Sequence, residues 1–160
     1  MTVTVCEEIR ALLDRRKFAV LATQQDGQPH ASLMAFTPVD GIKRLVFSTY
    51  RKTRKYESLI KDGRAALLIG SGIEPFEQQR TGLIVTAHGN VSDVLSNSRK
   101  SMLMSHIQRH PEFEEFFSSP ECALIVMKIS NYQLVTSTDE VRWYSPDSNC
   151  RITETKLGRS

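Results

Sequence analysis

Residues 18–37 read Phe18-Ala-Val-Leu-Ala-Thr-Gln-Gln-Asp26-Gly27-Gln-Pro-His30-Ala-Ser-Leu-Met34-Ala-Phe-Thr37. A short apolar run meets Asp-Gly, and a second extended segment begins at once. Asp-Gly is favoured where both central residues of a two-residue hairpin turn need positive φ. The stretch therefore predicts two antiparallel strands, the second running from Gln28 to Thr37, and a sheet made from hairpins rather than parallel crossovers.

Working outward, Thr4 and Glu7 have capping-box spacing, and Val5, Ile9, Leu12 and Leu13 recur on one face before the basic end Arg15-Arg16-Lys17. A helix over about 4–16 is expected. On the other side, Asp40-Gly41 marks a turn, and Arg44-Leu-Val-Phe-Ser-Thr makes a third strand with Leu45 and Phe47 on one face. Thr53 caps a short helix with Tyr56, Leu59 and Ile60 inward, and Asp62-Gly63 closes it. Ala65 to Ile69 is a buried fourth strand, residues 70–80 a loop, and Gly82 to Val94 a long fifth strand. A helix from about Asn97 to Arg109 carries Leu103 and Ile107. Pro111 opens a helical turn with Phe113, Phe116 and Phe117, read as core or interface. Ala123–Val135 and Val141–Tyr144 are further strands, and Ser145–Ser160, without periodicity, is expected to be a mobile tail.

The total of about seven strands with flanking helices predicts an α+β domain on a closed antiparallel barrel, one domain over 1–145 with a polar tail over 146–160. A chain of 160 residues with 40% hydrophobic and 24% charged residues is long enough for one core, and its composition excludes disorder and low complexity. No apolar run approaches the roughly 18 residues that cross a bilayer, and the first residues lack a basic segment followed by an apolar one. Cys6, Cys122 and Cys150 are odd in number and far apart, with no CxxC. The expectation is a cytoplasmic protein with no membrane contact.

The chemistry concentrates in Ser48-Thr49-Tyr50-Arg51-Lys52-Thr53-Arg54-Lys55. Four cations lie in five positions between a strand end and a helix start, beside the hydroxyls of Ser48, Thr49 and Thr53. Helix N-termini favour anions, so cations there are unfavourable unless an anion is bound. Phosphate is the natural partner, held either in a cofactor or in a nucleic-acid backbone; a solvated basic turn needs neither. Residues 43–64 hold eight Lys or Arg and two Asp or Glu, a local +6 in a chain of net +3, so the remainder nets −3. A concentrated cationic segment on a mildly acidic domain points to a discrete phosphate site, and not to a surface that coats nucleic acid.

Other chemistries have less support. There is no GxxxxGK[ST], GxGxxG or GxSxG. His106 and His110 stand four apart on a helix with no obvious third ligand, which reads as an ordinary helix flank, and no metal site is expected. His30 and His88 lie on strands.

In order along the chain, Phe18-Ala-Val-Leu-Ala-Thr, Asp26-Gly-Gln-Pro-His-Ala-Ser, Leu45-Val-Phe-Ser-Thr, Thr53-Arg-Lys-Tyr and Ala65-Ala-Leu-Leu-Ile resemble the FMN-binding split-barrel proteins, in particular the pyridoxamine 5'-phosphate oxidase-like group. The resemblance spans roughly 8–145. It implies a six-stranded split β-barrel and a homodimer with FMN in clefts at the subunit interface. By this resemblance His30, Ala31, Ser32, Leu33 and Met34 border the isoalloxazine. Ser48, Thr49, Thr53, Arg54 and Lys55 hold the phosphate, with Arg51 and Lys52 close by. Gln79, Arg80 and Trp143 approach from the other subunit. The oxidases themselves carry an Arg in the second strand and a Lys shortly after, where this chain has His30 to Met34. The resemblance thus implies FMN binding and flavin-dependent oxidoreduction without vitamin B6 oxidation, and it assigns no catalytic residue. A non-catalytic flavin carrier or sensor, and a barrel that binds haem or a deazaflavin, are the alternatives.

Overall fold

Local chemistry sets the first elements. In the computed structural model, which describes residues 3–70, 82–94, 97–136 and 140–146 and the backbone of 152–156, Thr4 caps helix α1 (Val5–Arg15). The Thr4 hydroxyl accepts the Glu7 N–H and the Glu7 carboxylate accepts the Thr4 N–H, the reciprocal capping box. Strands β1 (Phe18–Gln25) and β2 (Gln28–Ala35) pair from Gln25 opposite Gln28 to Phe18 opposite Ala35. Their turn has φ of 52° at Asp26 and 80° at Gly27, the doubly positive geometry that the dipeptide promised.

The second extended segment breaks at Phe36 and resumes as β3 (Thr37–Pro38), which pairs with β4 (Arg44–Tyr50) instead of β1. With β5 (Arg64–Gly70), β6 (Ile84–Asp93) and β7 (Cys122–Val135), the sheet order is β2-β1-β5-β6-β7-β4-β3. Since β2 and β3 are one run of chain, the two ends of the sheet meet at the Phe36 bend, and six chain segments curl into the barrel. Beyond these six, β8 (Glu140–Tyr144) pairs with β7, and β9 (Ile152–Lys156) pairs with β8. The strand at 152–156 corrects the expectation of a mobile tail there. Ile152, Thr153 and Thr155 are β-branched and suit a strand, but the segment lacks the apolar alternation that reveals one, and its pairing edge is supplied by β8.

Helices α2 (Arg54–Lys61), α3 (Arg99–Arg109) and α4 (Glu114–Ser118) flank the barrel, with a single 3₁₀ turn at Pro111–Phe113 before α4. Among the described residues no helix is long and apolar enough to cross a membrane. The inner faces differ from expectation in two places. Helix α2 buries Leu59 but exposes Ile60, and α3 buries Met102 and His106 while Leu103 and Ile107 are only half-buried.

The main core joins α1 (Ile9, Leu12, Leu13) to the barrel interior (Leu21, Phe47, Leu67, Ile69, Val85, Ile125, Met127). Each such side chain contributes roughly 1.5–3 kcal/mol by leaving water. The β6–β7 register slips between His88 and Gly89: His88 lies opposite Asn131 but Gly89 opposite Ile129. A Cβ at Gly89 would sit 2.1 Å from the Lys128 carbonyl oxygen, so this bulge requires glycine.

Candidate functional site

Strand β4 ends in Ser48-Thr49-Tyr50, and after three residues the chain enters α2. Thr53 organises the junction: its hydroxyl donates to the Tyr50 carbonyl (2.8 Å), accepts the Tyr56 N–H (3.2 Å) and lies 3.2 Å from the Thr49 hydroxyl. The start of the helix thereby faces a cavity of about 290 Å³. Ser48, Thr49, Tyr50, Thr53 and Lys55 line one side; Phe18, Leu33, Met34, Ala35, Phe113, Phe116 and Phe117 line the other.

Lys55 is the unusual member. Its ammonium lies 3.1 Å from the Met34 sulfur, and no described carboxylate is within ion-pair reach. Thioether sulfur is a weak acceptor, so most of the ammonium's bonding capacity stays open. Burial holds the group below the ordinary lysine value, as expected for a cation drawn from water without a counter-charge. The Ser48 hydroxyl oxygen is also buried, with no partner beyond the weak one that the Cys122 thiol offers. A cation, an unsatisfied hydroxyl and two further hydroxyls thus converge at one end of an aromatic slot.

The other cations nominated by sequence lie elsewhere. The Arg51 guanidinium donates to the carbonyls of Pro120 (3.0 Å) and Cys122 (3.1 Å) and lies 3.6 Å from the mostly buried Asp93 carboxylate, which also accepts the Tyr56 hydroxyl. Burial, and then that carboxylate, raise the Tyr56 pKa. Arg51 therefore fastens the turn to the start of β7. Lys52 is exposed, 3.9 Å from Glu121. Arg54 is exposed and shares a separate depression with Gln25, Asp26, Gln28, His30 and Ser58. Ala31 and Ser32 do not line the cavity, and Gln79 and Arg80 lie outside the described residues. Trp143 on β8 stands with its ring 5.8 Å from that of His88, away from the cavity lining.

Sequence reasoning missed the aromatic wall. Phe113, Phe116 and Phe117 read as core or interface, and only their dense spacing after Pro111 hinted at a shared surface. Nor are His106 and His110 an ordinary helix flank; both are fully buried. His106 Nδ1 is 2.7 Å from the Thr37 hydroxyl and its ring stacks on Phe117 at 3.9 Å, while His110 Nε2 donates to the Phe36 carbonyl (2.8 Å). Burial, followed by the nearby His110 and Arg109, lowers the His106 pKa to about 3; burial also lowers that of His110. The pair pins α3 to the bend that closes the barrel and backs the cavity wall. Among the described residues no group of three metal-binding side chains forms.

Comparison with known proteins fits this architecture. The family model described as pyridoxamine 5'-phosphate oxidase matches residues 5–136, and no curated protein matches the chain. A haem-binding protein from Mycobacterium smegmatis superposes with a TM-score of 0.72 at 18% identity, over 98% of this chain and 59% of that one. The chain therefore spans less than two thirds of that relative's length. A protein from Clostridium acetobutylicum, related to general stress protein 26 of B. subtilis in the pyridoxinephosphate oxidase family, gives a TM-score of 0.69 at 17% identity over 89% of this chain and 94% of its own. The haem storage protein HutZ from Vibrio cholerae gives 0.64 at 17% identity, over 76% and 87%. Since the family match runs from α1 through the barrel closure and the cavity to the end of β7, the chain belongs to the pyridoxamine 5'-phosphate oxidase-like split-barrel family.

Proposed function

We propose that the protein is a cytoplasmic, homodimeric FMN-binding protein that acts as a flavin-dependent oxidoreductase. The observation that carries this reading is Lys55, a half-buried ammonium without a carboxylate at the polar end of an aromatic cavity. A phosphate monoester carries about −1.5 to −2 charge near neutral pH and offers several strong acceptors. Lys55 donates to it, the orphaned Ser48 hydroxyl gains a partner, and the Thr49 hydroxyl turns from Thr53 to donate as well, while Thr53 keeps its proton on the Tyr50 carbonyl. At the start of α2 the Tyr56 N–H is taken by Thr53, and the N–H groups of Arg54 and Lys55 precede the first intrahelical bond. Phe18, Met34 and the phenylalanine wall form the apolar slot that a flat ring system needs. When bound, FMN supplies hydride exchange; the chain's part is to orient the ring and exclude water.

The cavity is small for a complete cofactor site, since such pockets span about 300–1,000 Å³. A second copy completes it. Val20 lies opposite both Leu33 and Leu68 in the sheet, and Leu33 and Leu68 are exposed, so an apolar row crosses the outer face of β2, β1 and β5. Leu33 belongs both to this row and to the cavity rim, which makes the row and the cavity one continuous surface.

Haem is the competing ligand, named for two of the structural relatives. Among the described lining residues the cavity offers an iron Met34, Tyr50 and Lys55 but no histidine, so FMN is favoured. The test is to titrate wild type and Lys55→Met with FMN and riboflavin. Loss of a charge-assisted bond of about 1.5–3 kcal/mol weakens FMN by about 10- to 100-fold and leaves riboflavin nearly unchanged. Equal losses for the two ligands, or a Soret band in place of flavin bands, overturn the reading. Anaerobic mixing with NADH or NADPH then separates an enzyme, which bleaches, from a carrier.

A further inference from the structure

We propose that Met34 is an oxidation site through which a hydroperoxide weakens anion binding at Lys55; the effect on ligand rests on the phosphate role given to Lys55 above. Three observations meet at this residue. Met34 is 7% exposed yet lines the cavity, its sulfur is 3.1 Å from the Lys55 ammonium, and that sulfur is the only partner the described residues give this cation. Met102 has the same 7% exposure but packs in a satellite core away from the cavity, and Met127 is fully buried. A small oxidant entering the cavity therefore meets Met34 and not the other two.

The chemistry is a two-electron oxidation. A sulfur lone pair attacks one oxygen of hydrogen peroxide, and the O–O bond breaks as the S–O bond forms. The proton on the attacked oxygen passes to the departing hydroxide, giving water and the sulfoxide. Lys55, within hydrogen-bond reach, donates to the departing oxygen during the step and keeps its proton. Afterwards the product differs from the thioether in the one respect that matters here. A sulfoxide oxygen is a strong, polar acceptor where sulfur was a weak one, so it engages the ammonium and projects into the space that an anion needs. The site passes from a cation awaiting an anion to a cation already satisfied. Methionine sulfoxide reductase restores the thioether.

The experiment exposes the full-length protein to hydrogen peroxide, follows oxygen addition at each methionine by peptide mass spectrometry, and titrates FMN and riboflavin before and after. Met104, which is 52% exposed, serves as the freely accessible reference. The expected result is oxidation of Met34 well ahead of Met102 and Met127, with FMN affinity falling about tenfold, riboflavin affinity nearly unchanged, and recovery after reductase treatment. A Met34→Leu protein, close in volume and without sulfur, keeps its FMN affinity through the same treatment. Oxidation of Met34 no faster than Met102 and Met127 overturns the proposal, as does an equal loss of FMN affinity in Met34→Leu. If the untreated protein binds neither flavin, the cofactor reading fails by itself. The oxidation rates still decide whether Met34 is the reactive site, and inorganic phosphate titrated against Lys55 by NMR then reads its effect.

Discussion

The buried histidine pair makes stability depend on pH in a direction that can be worked out. His106 is fully buried, stacked on Phe117, and its pKa falls from 6.5 to about 3 on folding. Between those values the unfolded chain takes up a proton that the folded one refuses, so the stability is fully present above about pH 6.5 and drains away as pH falls toward 3. Each pH unit in that window costs about 1.4 kcal/mol for one such group, so lowering the pH from about 7.5 to about 5 removes roughly 2 kcal/mol through His106. His110, shifted the same way, adds to the loss. The assay is urea unfolding at the two pH values, on wild type and on His106→Gln. The variant retains every other titrating group, so the difference between the two pH dependences reports His106 together with its coupling to His110, whatever the variant's absolute stability. The variant should show the shallower dependence by roughly 2 kcal/mol. Identical pH dependences would refute the argument that this imidazole is held neutral by its packing.

Gly89→Ala forces a Cβ against the Lys128 backbone oxygen, which cannot rotate aside as a side chain would, and should cost about 3 kcal/mol in urea unfolding; a loss under about 0.5 kcal/mol would mean that the bulge relaxes easily. Replacing both Leu33 and Leu68 by Asp places charges on the exposed apolar row, and sedimentation should show a dimer for wild type and a monomer for the variant, with weaker FMN binding; a wild-type monomer would remove the second copy from the site.

What could be read from sequence was local. The hairpin at Asp26-Gly27, the capping box of Thr4 and Glu7 and the cap at Thr53 each depend on residues within four positions of one another, and the structure shows all three. The errors involve distant partners. Arg51 looked like a phosphate ligand beside Lys52, Arg54 and Lys55, but its guanidinium meets carbonyls about seventy positions away and a carboxylate on β6. His106 and His110 looked like a polar flank because nothing nearby announces that Thr37 and the Phe36 carbonyl will be brought against them. The closure of the barrel does this: Phe36 leaves the β1 ladder, and its carbonyl becomes available to a histidine from another element.

The same logic explains why one cation of the basic segment, and not four, faces the cavity. The local +6 of residues 43–64 lies on a domain whose remainder is acidic, and acids of that remainder find it: Asp40 pairs with Arg44, Asp93 with Arg51 and Glu121 with Lys52, while Asp62 pairs with Arg64 inside the segment and Arg54 is exposed beside a separate depression. Most of these pairs are exposed and contribute little to stability, about 0–1 kcal/mol each. Their effect is on availability. A cation already beside a carboxylate attracts a ligand phosphate weakly, because the incoming charge meets a near-neutral pair. Lys55 avoids this fate because the residues around it are hydroxyls, phenylalanines and a thioether, none of which carries charge. Lys55 stands apart as much through the apolar character of β2 and α4 as through its own charge, which is why the run of cations in the sequence offered four candidates where one lines the cavity.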